Sequence, residues 1–130
     1  MLKKTITYTD FNGVERTEDF YFNLTKAEIA EMELEIPGGM TAMIDRITKS
    51  QDTPSLIKLF KDLILRSYGK KSDDGRRFIK NQDVVDEFKD SEAYSELFME
   101  LATNADAASA FVNGIVPKVP EAAKKIPAKN

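Results

Sequence analysis

The side chains of this sequence that could do chemistry are close pairs of carboxylates and one cluster of cations. The pairs are Glu31 with Glu35, Asp73 with Asp74, and Asp83 with Asp86 or Glu87; the cluster is Lys70, Lys71, Arg76, Arg77 and Lys80. Two carboxylates across a cleft can act as general acid and base. Cations interleaved with an aromatic ring, here Phe78, can follow a phosphate backbone while the ring stacks on a base. The carboxylate pairs, however, fall in helical or turn patterns with nothing beside them to push their pKa values apart, so they read as solvated surface. Asp73-x-Gly75 lacks the ligand spacing of a calcium loop. Gly38-Gly39 lacks the preceding strand and the following Gly-Lys-Ser or Gly-Lys-Thr of a phosphate cradle. There is no cysteine and no histidine, which removes thiolate nucleophiles, imidazole bases, disulfides and nearly every zinc, copper or iron site. The expectation is a protein that is not an enzyme and takes no cofactor or metal.

Charge narrows the partners. The net charge of 130 residues is −3, but the fourteen from Pro117 onward hold four Lys and one Glu, leaving a body of −6 and a C-terminal segment of +3. An acidic body argues against nucleic acid, whose attraction rests on many Lys and Arg contacts, so the cation cluster reads as an exposed charged loop. No run approaches the ~18 apolar residues that a membrane span needs, and the opening MLKKTITYTD has no apolar signal core. The chain therefore reads as soluble, untargeted and without a membrane role.

The elements that would position these groups follow from periodicity. Residues 2–9 and 14–22, rich in Thr, Ile, Tyr and Phe, flank Asp10-Phe11-Asn12-Gly13 and predict a β-hairpin. Leu2, Ile6 and Tyr8 share even parity with Val14, Phe20 and Phe22. Only an odd loop puts both sets on one face, so the expected turn is Phe11-Asn12-Gly13 with Gly13 left-handed, Leu2 opposite Phe22 and Lys4 opposite Phe20. Thr25 and Glu28 form a capping box, with Leu24 and Ile29 in staple positions, opening a helix that Pro37-Gly38-Gly39 ends. Met40, Met43, Ile44 and Ile47 predict a second helix. Thr53 capping Pro54 predicts a third, the most buried, ended by Gly69. Residues 70–80 predict a small hairpin or loop. Asn81 and Ser91 cap short helices, and Thr103 or Asn104 opens a last one that Gly114 and Pro117 close.

The expected fold is thus α+β and mainly α: an N-terminal β-hairpin packed on about five or six short helices. Residues 1–116 make a single domain, and 117–130 a flexible, basic, disordered segment of Pro, Lys and Ala. Within the apolar last helix, Phe111, Val112, Ile115 and Val116 are candidates for a partner-binding surface, against the alternative that they fill core.

Three stretches, TITYTDFNGVERTEDFYFNLTKAEIAEME, IKLFKDLILRSYGKKSDDGRRFIKN and SEAYSELFMELATNADAASAFVNGIVP, together resemble the tail assembly chaperones of long-tailed (siphovirus-type) bacteriophages and prophages of Gram-positive bacteria. The likeness spans about residues 3–117 and lies in segment order and wording, without a catalytic motif. It implies a protein that binds the tape-measure protein, keeps that aggregation-prone chain soluble and helps recruit tail-tube protein, in related systems through a longer form made by ribosomal frameshifting. It also implies residence in the host bacterial cytoplasm and absence from the mature virion. Self-association into a homo-oligomer would suit a protein that coats a long chain. A structural virion component, such as a minor tail or head-tail connector protein, is the competing expectation.

Overall fold

The computed structural model describes residues 1–35, 38, 39, 42, 45, 49 and 53–117, with the side chains of 53–56 excepted. The helix expected on Met40, Met43, Ile44 and Ile47, and the C-terminal segment beyond Pro117, lie outside the described residues.

Strands β1 (Leu2–Thr9) and β2 (Glu15–Phe22) pair antiparallel with Leu2 opposite Phe22 and Lys4 opposite Phe20. The three-residue loop is as parity requires. Asp10 N–H donates to Val14 O at 2.8 Å, and Gly13, at φ +81°, donates its N–H to Asp10 O. The Asp10 carboxylate accepts the N–H groups of Asn12 and Val14, which fixes the turn from within.

The hairpin is the first half of a larger sheet. β3 (Tyr68–Lys71) and β4 (Phe78–Ile79) extend it in the order β1-β2-β3-β4, all neighbours antiparallel. Gly69, expected to end a helix, lies inside β3. A Cβ there would stand 2.7 Å from the Phe78 ring and 2.9 Å from Ile79 O, so glycine serves close packing between strands.

Five helices stand among the described residues: α1 (Lys26–Glu35), α2 (Thr53–Ser67), α3 (Gln82–Lys89), α4 (Glu92–Thr103) and α5 (Ala105–Ile115). Their ends are set locally. Asn81 accepts the Val84 N–H and Asn104 the Ala107 N–H, both at 3.0 Å. Ser91 takes the cap position of α4 but turns its hydroxyl to Phe88 O. The described part of α2 runs from Thr53, and the residues before it, which would decide the expected cap, lie outside the described ones. Gly114 sits inside α5, where Leu2 packs so closely that a Cβ would come within 2.9 Å of its Cδ1.

α4 and α5 cover the even face of the hairpin, and Lys4 reaches Glu100 of α4 at 3.1 Å. The core beneath is aromatic. Phe22, fully buried, touches Tyr68, Phe88 and Phe111 with ring centroids 5.3–5.7 Å apart, and Tyr68 stacks on Phe88 at 4.3 Å. The odd face carries exposed Thr5, Thr7, Thr9 and Thr17, so the sheet has helices on one side and polar side chains on the other.

Candidate functional site

Where β2 ends, the chain turns into α1 through Asn23 and Leu24, and three distant segments meet there, two through backbone carbonyls and one through a side chain. Asn23 N–H donates to Ser67 O, the last residue of α2, and Leu24 N–H to Ile115 O, the last of α5, each at 2.8 Å. The third visitor is Lys80, whose ammonium donates to Asn23 O at 2.6 Å and to both oxygens of Glu28 at 2.8 Å. Glu28 also accepts the Thr25 N–H while the Thr25 hydroxyl accepts the Glu28 N–H, so the predicted capping box is present and is joined to an ion pair. Burial alone would raise the Glu28 pKa; the Lys80 hydrogen bonds and charge, with the Thr25 N–H, outweigh it and hold the carboxyl below its ordinary value.

This corner is one wall of a cleft of about 300 Å³. Its floor is apolar, from Leu24, Met32, Leu65 and Val85, and its rim charged, from Glu28, Glu31, Glu35, Arg66 and Lys80. The helical spacing of 28, 31, 32 and 35 brings one face of α1 to the cleft. Arg66 ties the far end of that helix by donating to Glu35 at 2.8 Å, while also pairing with Asp62. Glu31 stands between the two anchored glutamates with no ion pair among the described residues. Among the described elements α1 has no extensive partner; its one buried residue, Met32, joins the main core with Ile29 packed against it, while Leu34 is 91% exposed.

The candidate residues read from the sequence are placed as follows. Phe111 and Val112, each 2% exposed, and Ile115, at 0%, point into the core, and Phe111 touches Phe22; only Val116 is half-buried at the surface. The first three are out of reach of a partner on the folded chain. An aspartate at 111 or 115 would put a charge inside the core rather than probe a surface.

The cation cluster is dispersed. Lys70 pairs with Glu87 at 2.6 Å, Lys71 lies over the Tyr21 ring, Lys80 is in the corner, and Arg76 and Arg77 remain on the exposed β3–β4 turn. The carboxylate pairs are likewise separated by other partners: Glu35 is held by Arg66, Glu87 by Lys70, and Asp86 accepts from Gln82. Asp74 accepts the Arg76 N–H and the Ser72 hydroxyl, which lower its pKa below the usual range. No group of three or more Asp and Glu side chains suited to a metal occurs among the described residues. None of their helices is long and apolar enough to cross a membrane. The corner itself was hidden from sequence reasoning because Lys80 and Glu28 lie 52 positions apart.

A family model described as phage tail assembly chaperone matches residues 1–127. The chain belongs to that family. No curated protein and no solved structure matches it. The match continues past Pro117, so ten residues of the basic C-terminal segment, left out of the resemblance over 3–117, fall within the tail assembly chaperone pattern. Membership of a chaperone family suggests a non-enzymatic role.

Proposed function

We propose that this tail assembly chaperone binds the tape-measure protein in the host cytoplasm, keeps it soluble, helps bring tail-tube subunits to it, and is not retained in the mature virion. The family match over residues 1–127 carries this reading. A holdase needs no nucleotide: differential binding to exposed apolar segments lowers the free concentration available to aggregate. The cleft beside α1 supports the reading with a surface of suitable chemistry, since its apolar floor and charged rim match the two faces of an amphipathic helix. Leu34, exposed one helical turn beyond Glu31, and Val116, next to the residue that bonds Leu24, are the further apolar side chains offered to the partner. Phe111, Val112 and Ile115 support it from below by holding α5 against β2. Self-association of the chaperone along the long tape measure belongs to the same proposal.

The test is co-expression with the tape-measure protein encoded beside it, followed by pull-down and light scattering of the soluble fraction. The expected result is a soluble complex, weakened by Glu31→Lys and by Leu34→Asp, both at exposed positions. A tape measure that stays insoluble with this chain and with any frameshifted longer form, together with the chain's presence in purified particles, would overturn the proposal in favour of a structural component.

A further inference from the structure

We propose that the C-terminal segment, residues 118–130, docks in the cleft of its own chain. The exit point is the first observation. Ile115 O accepts the N–H of Leu24, and Leu24 forms part of the cleft floor, so the chain leaves the fold at Val116–Pro117 beside the cleft. Reach is ample, because thirteen extended residues span up to roughly 43 Å and a ten-residue helix is about 15 Å long.

Charge is the second observation. Three carboxylates face two cations on the rim, and Lys80 and Arg66 are already engaged with Glu28 and Glu35, which leaves Glu31 for an incoming cation. The segment brings Lys118, Lys124, Lys125 and Lys129 against a single Glu121, with Val119 and Ile126 to meet the apolar floor. Pro120 and Pro127 restrict the backbone before it docks, which reduces the entropy lost on docking. The family match, third, extends through residue 127 and so takes in Val119, Ile126 and three of the four lysines. An occupied cleft would make a tape-measure segment displace residues 118–130 before it binds; that consequence rests on the functional reading above, whereas the docking does not.

The experiment uses the full chain alone. Having no cysteine, it accepts a single nitroxide at Ala128→Cys. Paramagnetic broadening is then read on the methyl signals of Leu24, Leu65 and Val85, with Val14 at the hairpin tip as the distant reference. The expected result is loss of most of the cleft intensity with Val14 unaffected. Glu31→Lys should restore the signals, and adding Lys124→Glu to that variant should remove them again. Equal broadening at the cleft and at Val14, or cleft broadening indifferent to both substitutions, would overturn the docking. Broadening that passes to isotope-labelled chain carrying no nitroxide would overturn the intramolecular form by assigning the occupant to a second copy. Failure to hold a tape measure leaves this readout unchanged, so the two proposals fail separately.

Discussion

Phe22 and Thr25 are three residues apart, yet the regions they begin are held by different forces. On the Phe22 side the strand is paired along its length, covered by α4 and α5, and closed by buried aromatic rings. On the Thr25 side α1 reaches the core through Met32 and Ile29, and among the described residues its ends are fastened by charge: Lys80 on Glu28 at one end, Arg66 on Glu35 at the other. The first arrangement rests mainly on apolar burial, which salt and pH affect little. The second depends on both, because partly exposed ion pairs are screened and carboxylates can be protonated. The difference predicts that α1 responds to salt and acid before the hairpin does, although Met32 ties it to the same core.

The largest break in this contrast is expected from Phe22→Ala, which empties the centre of the aromatic cluster. It should cost about 3–5 kcal/mol, read as a drop in the denaturant midpoint seen equally by sheet and helix signals. Gly69→Ala tests the same side more gently: its Cβ must displace the Phe78 ring or Ile79 O, at a cost of about 1–3 kcal/mol. Lys80→Met addresses the other side. Global stability should fall by only about 1–2 kcal/mol, while amide exchange in α1 accelerates and that in α4 does not. Uniform acceleration in both helices would show that α1 is not a separate unit.

Acid should sharpen the contrast with the smallest overall effect. The folded Glu28 pKa lies below its ordinary value of 4.5, so its contribution is full above about pH 4.5 and is lost as pH falls through the lowered folded value. Hydrogen exchange between pH 5 and 3 is expected to show α1 opening before the hairpin; simultaneous opening would place the acid-sensitive contacts in the core.

How far the sequence could be read follows the same division. The hairpin register was legible because parity excludes the two-residue Asn-Gly loop and requires an odd one to put Leu2, Ile6, Phe20 and Phe22 on a common face. The caps at Thr25 and Asn81 were legible because each is completed within three residues, and of the two candidates for the last helix, Thr103 and Asn104, the structure uses Asn104. The helices do close near Gly69 and Gly114, at Ser67 and Ile115, but the reason for glycine was hidden, since the letter does not distinguish a positive φ from a place where another group passes within 3 Å. The last helix was ambiguous for a related reason: its periodicity shows that Phe111, Val112 and Ile115 share a face, but core and partner surface produce the same pattern. Lys80 was read as one cation of a loop cluster, because its role is set by Asn23 and Glu28, more than fifty positions away.

The bond from Leu24 to Ile115 also orders events in time. During synthesis the hairpin and α1 leave the ribosome first, but Leu24 cannot find its acceptor, nor Phe22 its contact with Phe111, until α5 has followed. The N-terminal strands must therefore wait with their apolar face uncovered for most of the chain's translation, a delay set by topology rather than by any weakness of the strands themselves.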